Sequence, residues 1–226
     1  MEGLRPRTLE TIVGQEAAID RLRALVGGAR AGRIVPPHLL LYGPPGVGKT
    51  TAAKAFGRAV LGEHFENSFH TLNASDDRTA DRLSKQIVPD CLRPPSRAAP
   101  FRVLFFDEAD RMAPEAQAML RPALEAEASY SVFILACNDV AAVSAPLRSR
   151  CIELAFRPLE PSEMLRMVES SAERAGLSLT AAEAAAIAEE ARGTPREAVK
   201  RLLEHACVPV PPARGAPGSS GRRPEP

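Results

Sequence analysis

The chain alternates short apolar runs with segments in which apolar residues recur every three or four positions. The apolar runs are of strand length and rich in Leu, Val, Ile and Phe: His38–Tyr42, Phe69–Asn73, Arg102–Phe106, Val132–Cys137 and Cys151–Phe156. Runs of this kind, separated by helices, are typical of a parallel sheet buried on both faces. The pattern therefore predicts an α/β domain built on a parallel five-stranded sheet.

After Pro158 the pattern changes, and only helical spacing remains. Three helical segments follow, over residues 162–175, 180–191 and 195–206. We therefore divide the folded part of the chain into an α/β domain over residues 1–158 and a small three-helix domain over residues 159–207.

Composition adds a tail and excludes some classes of protein. Residues 208–226 hold six prolines and three glycines without apolar periodicity, so we predict a disordered tail. The whole chain has 226 residues and a net charge of +1, which leaves any nucleic-acid contact to a local patch. No run reaches the ~18 apolar residues of a membrane span, and Met1–Arg5 lacks the apolar core of a signal peptide. We expect a soluble intracellular protein.

A glycine-rich loop follows the first apolar run and opens a helix. Its sequence matches G-x-x-x-x-G-K-[ST], in which glycines let backbone N–H groups converge on phosphate oxygens at a helix N-terminus. Lys49 would reach the β- and γ-phosphates, and the Thr50 hydroxyl would hold Mg²⁺. The motif predicts nucleoside triphosphate binding. The predicted contacts are Gly43, Pro44, Pro45, Gly46, Val47, Gly48, Lys49, Thr50 and Thr51.

Acidic and amide side chains follow two later strands. Asp107 and Glu108 end the run Arg102–Phe106, at the edge where a parallel sheet places its metal ligands. We expect Asp107 to hold Mg²⁺ through water and Glu108 to polarise the attacking water as general base. Asn138 follows the run Val132–Cys137, where it could orient that water or simply begin a turn.

Six further motifs lie along the chain: Leu4-Arg5-Pro6-Arg7-Thr8-Leu9, Val13-Gly14-Gln15, Leu72-Asn73-Ala74-Ser75-Asp76-Asp77-Arg78, Ala116-Gln117-Ala118-Met119-Leu120-Arg121, Ala136-Cys137-Asn138 and Pro146-Leu147-Arg148-Ser149-Arg150-Cys151. From about residue 4 to residue 206, the chain resembles the small subunits of replication factor C, the AAA+ clamp loader of archaea and eukaryotes. The Asn-Ala-Ser-Asp-Asp-Arg string and Ser-Arg-Cys are far more specific than the phosphate loop.

The resemblance implies an AAA+ P-loop fold with a helical lid, and an ATPase with ATP and Mg²⁺ as ligands. It implies that Asn138 is sensor 1 and that Arg196, on the lid, is sensor 2, which detects the γ-phosphate. Arg150 is implied to be an arginine finger, offered in trans to the ATP of a neighbouring subunit. Three residues are implied to lie around the rest of the nucleotide, the last two against the adenine: Arg5, Val13 and Gly14.

The resemblance also implies partners: other clamp loader subunits in a hetero-pentamer, a sliding clamp and primer–template DNA. It places the protein in the nucleus of a eukaryote or the cytoplasm of an archaeon. Arg78, Arg82 and Lys85 fall at i, i+4 and i+7, so they share one face of a predicted helix. We expect this face to follow a phosphate backbone without reading bases. With Asp81 beside Arg82, an ordinary solvated helix is the alternative.

The sequence departs from the family in three places. Family members carry a third, helical collar domain, whereas the pattern after Ala206 gives way to the Pro/Gly-rich segment. Pro122 stands where a second arginine usually follows Arg121, and Pro89–Pro100 is unusually rich in proline. An alternative function is therefore a collarless AAA+ module that holds ATP in a regulatory or vestigial role with weak turnover.

Two other motor classes share single features with this chain. Asp107-Glu108-Ala109-Asp110 spells the motif of a DEAD-type helicase, but that class needs a second domain with its own strands, and only helical spacing follows Pro158. A Holliday-junction branch-migration motor shares the Leu-Arg-Pro start and the phosphate loop. It does not explain the Asn-Ala-Ser-Asp-Asp or Ser-Arg-Cys strings.

Overall fold

The computed structural model describes residues 4–74, 87–91, 93–95, 99–126 and 130–206. The predicted DNA-binding residues Arg78, Arg82 and Lys85 lie outside the described residues, and so does the predicted tail. No helix in the described ranges combines the length and the apolar character that crossing a membrane requires.

The five predicted strands form one parallel sheet in the order β2-β3-β4-β1-β5, which confirms the predicted fold class. The strands are β1 (His38–Tyr42), β2 (Phe69–Asn73), β3 (Arg102–Asp107), β4 (Ser131–Cys137) and β5 (Cys151–Ala155).

Three strand bounds differ from the prediction by one residue. β3 continues to Asp107, which pairs with Asn73, and β4 begins at Ser131, which pairs with Arg102. β5 ends at Ala155 instead of Phe156. The differences arise because backbone pairing continues as long as the neighbouring strand does, whatever the polarity of the side chain.

Helices cover both faces of the sheet. They are α1 (Glu16–Arg30), α2 (Lys49–Leu61), α3 (Phe65–Ser68), α4 (Val88–Cys91), α5 (Pro114–Glu125) and α6 (Ala145–Arg148), with single 3-10 turns at Leu9–Thr11, Gly62–His64, Ala109–Arg111 and Val140–Ala142. Alternate residues of β1 enter two core layers. Leu39 and Leu41 pack in the layer that contains Phe56 of α2, and Leu40 packs with Leu120 of α5. Each such buried side chain contributes about 1.5–3 kcal/mol.

Three helices follow the sheet: α7 (Pro161–Ala175), α8 (Ala181–Glu190) and α9 (Pro195–Ala206). Each begins and ends within one residue of its predicted segment. Capping boxes begin α7, at Glu160 and Glu163, and α8, at Thr180 and Glu183, while Gly176 ends α7 in the left-handed region at φ 66°. These three helices form a lid with its own apolar core.

The lid is joined to the sheet domain by a network of hydrogen bonds. The Gln15 side-chain amide donates to the Arg157 carbonyl oxygen at 2.6 Å, and the Arg157 backbone N–H donates to Gln15 Oε1 at 3.0 Å. The Arg157 guanidinium donates twice to Glu163 of α7, at 2.8 and 2.9 Å. Within the lid, the Leu159 N–H donates to the Gly193 carbonyl oxygen at 2.8 Å. These bonds hold the lid beside the carboxyl ends of the strands.

Candidate functional site

A cavity of about 540 Å³ opens at the carboxyl ends of β1, β3 and β4, beside the lid. Its volume is in the range of small-molecule sites, and this edge of a parallel sheet is where ligands bind. Most of the predicted nucleotide-site residues line it: Arg5, Val13, Pro45, Gly46, Val47, Gly48, Lys49, Thr50, Thr51, Asp107, Glu108, Asn138 and Arg196. Gly14, Gly43 and Pro44 belong to the adjoining backbone.

The glycines of the phosphate loop serve different purposes. Gly43, Gly46 and Gly48 have φ values of 141°, 80° and 111°. A Cβ on Gly43 would lie 2.0 Å from the carbonyl oxygen of Phe156, and a Cβ on Gly46 would lie 2.7 Å from Cγ2 of Thr194. A Cβ on Gly48 would meet nothing within 4 Å. The loop is therefore packed closely on Phe156, the residue after β5, and on the lid. It is open at the N-terminus of α2, where backbone N–H groups attract anions.

Lys49 is the buried cation of this loop, with 7% of its surface exposed. Its Nζ donates to the carbonyl oxygens of Gly43 (2.5 Å) and Pro44 (2.8 Å) and to Oδ1 of Asn138 (3.0 Å). Burial lowers the pKa of Lys49, while the negative charge of Asp107 acts in the opposite direction. The ammonium is thus held where the loop and the end of β4 meet, and it can move its third bond from Asn138 to a phosphate oxygen.

Thr50 and Asp107 bring two oxygen donors together. The Thr50 hydroxyl, in the first turn of α2, donates to Oδ2 of Asp107 at the end of β3, at 3.0 Å. Mg²⁺ prefers hard oxygen ligands and usually keeps several waters besides one or two carboxylates. A hydroxyl and a carboxylate at this distance, beside a phosphate loop, form a donor set that fits Mg²⁺.

Glu108 turns away from the line of β3. Its backbone lies in the left-handed region at φ 57° and ψ 41°, and its N–H donates to Oδ1 of Asp107 at 3.1 Å. A left-handed non-glycine residue costs of order 1–3 kcal/mol, and such strain clusters at functional sites. The Glu108 carboxylate lies 3.4 Å from the Arg111 guanidinium, with 38% of the side chain exposed. It therefore lines the cavity as a solvated carboxylate, which can accept a proton from water.

The lid reaches the phosphate loop through the first turn of α9. The Arg196 N–H donates to the Gly46 carbonyl oxygen at 3.2 Å, and the Arg196 Cβ lies 3.1 Å from the place where a Gly46 Cβ would stand. The Arg196 side chain thus begins directly above the loop. A phosphate bound in the loop would lie within the reach of this arginine.

Arg150 lies at the other end of the sheet. It precedes Cys151, which pairs with His38, the first residue of β1, whereas the phosphate loop follows Tyr42, the last residue of β1. Five strand residues at ~3.3 Å each separate the two ends by about 16 Å. In this position Arg150 forms an ion pair with Glu125. Arg150 is the one predicted catalytic residue that the structure does not bring to the cavity.

Several cavity residues were not predicted. Gln15 lines the cavity and also donates to the Val47 carbonyl oxygen at 3.4 Å. Its position directly after Val13 and Gly14, which were predicted to contact the nucleotide, could have indicated that it lies in the cavity. The lid adds Met167 and Ser171 from α7. For these two no signal was available, because helical spacing shows that a face is buried but not what it is buried against.

The family comparison covers the phosphate loop and both acidic residues. The model of the ATPase family associated with various cellular activities (AAA) matches residues 39–159, which is more than half of the chain. The match ends at Leu159, where the structure passes from the sheet domain to the lid.

The curated relatives are more specific. The replication factor C small subunit of Methanothermobacter thermautotrophicus is 39% identical over 208 residues, which are 92% of this chain and 63% of the relative. The replication factor C small subunit of Archaeoglobus fulgidus is 36% identical over 208 residues, 92% of this chain and 64% of the relative. The chain thus spans slightly less than two thirds of the length of these relatives.

Among solved structures, the Thermotoga maritima RuvB Holliday junction branch migration motor superposes with a TM-score of 0.75 and 27% identity, over 89% of this chain and 64% of that one. The sheet and lid are therefore shared with this motor, but identity is higher to the replication proteins. The resemblance drawn from the sequence motifs is confirmed: the chain belongs to the ATPase family associated with various cellular activities, as a relative of the replication factor C small subunits.

Proposed function

We propose that this chain is a clamp loader subunit that binds ATP with Mg²⁺ and uses its hydrolysis to load a sliding clamp onto primed DNA. The observation that carries the proposal is the meeting of Lys49, the Thr50–Asp107 pair and Asn138 at one edge of the sheet. The relatives named replication factor C small subunit support the choice of clamp loading among the uses of an AAA ATPase.

Each residue of the cavity has a distinct task in this proposal. Lys49 binds the β- and γ-phosphate oxygens, and Thr50 and Asp107 hold Mg²⁺, which neutralises charge on the phosphates. Glu108 accepts a proton from the attacking water. Asn138 orients that water once Lys49 has released its Oδ1.

Residues around the rest of the cavity would bind and detect the nucleotide. Val13 and Gly14 enclose the adenine, and Arg5 contacts the nucleotide nearby. Arg196 couples the state of the γ-phosphate to the lid, because its backbone is already bonded to Gly46.

Arg150 would act on a neighbouring subunit. It lies about one strand length from its own cavity, so a chain that uses it in hydrolysis must present it across an interface. An arginine supplied in trans can raise turnover by ~10³–10⁵-fold, because it stabilises charge in the transition state. The proposal therefore requires other clamp loader subunits. A clamp loader works where DNA is replicated, in the nucleus of a eukaryote or the cytoplasm of an archaeon.

The proposal is tested by ATP turnover of the chain mixed with candidate partner subunits, sliding clamp and primed DNA. We expect turnover to rise when clamp and primed DNA are added together. A four-way DNA junction in place of primed DNA is the control, because the RuvB-like fold also suits a branch-migration motor. Stimulation by the junction alone would favour that motor. Unchanged turnover with every addition would favour a nucleotide-binding module instead.

A further inference from the structure

The guanidinium group of Arg150 is held by its own chain. Nη1 donates to the Pro146 carbonyl oxygen at 2.6 Å and to Oγ of Ser149 at 3.2 Å, and Nη2 donates to the Glu125 carboxylate. The side chain is 30% exposed. Because a free arginine side chain has many rotamers, these hydrogen bonds order Arg150 before any neighbouring molecule is present.

Glu125 connects Arg150 to the end of α5. It is the last residue of that helix, and its Oε1 also accepts a hydrogen bond from Nε of Arg121, one turn earlier, at 2.7 Å. The hydrogen bond from Arg121, reinforced by the charge of Arg150, lowers the pKa of the Glu125 carboxyl. The carboxylate is therefore ionised at neutral pH. Since two arginines share one carboxylate, the cluster keeps a net positive charge.

The helix end that carries Glu125 is fixed to the sheet. Leu124, the residue before Glu125, is buried in the same apolar cluster as Phe133 of β4. The His38 imidazole of β1 contacts the same residue: its Nδ1 accepts from the Phe133 backbone N–H at 3.1 Å, and its ring meets the Phe133 ring edge-on at 5.2 Å. β1, β4 and the last turn of α5 are thus tied together, so Glu125 holds Arg150 from a rigid base.

These hydrogen bonds leave part of the guanidinium group available. Arginine has five N–H donors in a fixed fork. In Arg150 the two on Nη1 and one on Nη2 are used by Pro146, Ser149 and Glu125. The Nε–H and the second Nη2–H have no partner among the described residues. These two N–H groups remain available for contact with phosphate oxygens.

We propose that Glu125 is a positioning residue, which holds Arg150 in the conformation in which it meets a neighbour's ATP. The inference rests on the proposed function of Arg150 as a trans-acting arginine. Glu125 does not line the cavity of its own chain. It orders the Arg150 side chain within its own chain, so that the conformational entropy of this side chain is not lost when the interface forms.

The test compares ATP turnover of Glu125→Gln and the parent chain over a range of chain concentration, at saturating ATP. We expect the concentration-dependent part of kcat to fall roughly tenfold, since the ordering of the arginine must now be supplied on assembly. KM for ATP and the affinity for a non-hydrolysable ATP analogue should stay unchanged, because Glu125 lies outside the nucleotide cavity. The matched control is Glu190→Gln, which removes a lid carboxylate paired with Arg201 and leaves Arg150 untouched.

The double variant Glu125→Gln with Arg150→Ala separates positioning from a structural role. If Glu125 acts through Arg150, the double variant turns over as slowly as Arg150→Ala alone. An additional loss in the double variant, or a normal kcat of Glu125→Gln beside a defective Arg150→Ala, would overturn the inference and leave the proposed function intact. A normal Arg150→Ala, or turnover that never rises with chain concentration, would overturn the finger assignment itself and the inference with it.

A second readout uses the isolated chain and does not depend on turnover. In side-chain ¹⁵N NMR, a held guanidinium group shows separate Nη resonances because its rotation is slow. We expect separate Arg150 resonances in the parent chain and in Glu190→Gln, and a merged resonance in Glu125→Gln. Separate resonances that persist in Glu125→Gln would contradict a positioning role.

Discussion

At the level of single residues, the most informative contact is the one between Lys49 and Asn138. A buried ammonium that donates to two loop carbonyls and one side-chain amide has all three of its protons placed. A phosphate oxygen that takes over the bond to Asn138 releases an amide at the end of β4. In the proposed function, binding of the γ-phosphate and placement of the attacking water would be a single exchange of hydrogen bonds.

This division of tasks predicts opposite results for two substitutions. Lys49→Ala should abolish ATP binding, because the phosphates lose their buried cation. Glu108→Gln should keep ATP affinity and lose most hydrolysis, by about 10²–10⁴-fold, since the amide cannot accept the proton of the attacking water. Calorimetric titration with ATP measures the first effect, and phosphate release measures the second.

Matched controls exist for both substitutions. Lys54→Ala changes a lysine of the same helix that does not line the cavity, and Glu115→Gln changes an exposed carboxylate at the start of α5. Neither should alter ATP binding or turnover. Hydrolysis by Glu108→Gln at the parent rate would show that another group is the general base.

At the level of secondary structure, apolar runs predict the central strands β1, β3 and β4, because both faces of the sheet are covered there. The edge strands β2 and β5 also carry exposed polar residues, such as Thr71 and Glu153. The same signal does not distinguish the last paired residue from the next, and three strand bounds differ for that reason. Pro122 shows a second limit of prediction from sequence, because a proline does not always end a helix. It lies inside α5 near the end of the helix, where its missing N–H removes only one hydrogen bond. Sequence spacing also could not show that Gln15 binds the chain segment before the lid, since these residues are far apart in the chain.

The phosphate loop makes a prediction about stability. Gly43→Ala should lower the free energy of unfolding by at least ~1–3 kcal/mol, because φ is 141° and the new Cβ would lie 2.0 Å from the Phe156 carbonyl oxygen. Gly27→Ala, in the interior of α1 with nothing within 4 Å of the new Cβ, should instead be neutral or stabilise by about 0.4–1 kcal/mol. Urea unfolding measures both. Equal effects would contradict the close approach of the loop to β5.

The ion pair between Arg157 and Glu163 predicts a dependence on pH. The hydrogen bonds from Arg157 hold the pKa of Glu163 below its ordinary value of 4.5. The ionised carboxylate therefore stabilises the fold above that value, and this contribution is lost as the pH falls through the lowered pKa. Glu163→Gln should cost about 1–3 kcal/mol at pH 7, near the lower end because half of Arg157 is in solvent. The difference from the parent chain should shrink below pH 4.5.

Urea unfolding at several pH values measures this dependence. Asp20→Asn is the control: Asp20 pairs with Arg23 at a similar distance, 2.9 Å, but both side chains are exposed. It should cost less than about 1 kcal/mol at every pH. A difference between the parent chain and Glu163→Gln that stays constant down to strongly acidic pH would mean that the Glu163 charge does not stabilise the junction with the lid.

At the level of the whole molecule, the sequence predicted those residues of the candidate ATP site that lie within a single chain. The phosphate loop is recognised by its motif, and Asp107, Glu108 and Asn138 by their position directly after apolar runs. The parallel sheet brings all of them to one edge. Arg150 is different, because the role proposed for it depends on a second molecule, and within its own chain it contacts Glu125, Pro146 and Ser149. Family motifs, and not residue spacing, identified it.

The proposed function includes binding to DNA by the assembled subunits. Changing Arg78, Arg82 and Lys85 together to Glu should weaken DNA affinity and flatten its salt dependence, by a slope of ~0.9 for each phosphate that the protein no longer neutralises. A charge-matched control changes three exposed arginines elsewhere, Arg21, Arg33 and Arg166. Binding measured across a salt series decides: an unchanged slope in the first variant would return its residues to an ordinary solvated surface.

In the proposed function, the ATP site of one chain is completed by Arg150 of a neighbour. The most direct measurement is ATP turnover in a mixture of two inactive variants, Lys49→Ala and Arg150→Ala, with each variant alone as reference. The Lys49→Ala chain retains its arginine and the Arg150→Ala chain retains its nucleotide site, so mixed interfaces contain one complete site. We predict that the mixture recovers part of the parent turnover and that recovery increases with concentration. Turnover of the mixture equal to the average of the two variants alone, at every concentration, would contradict the account.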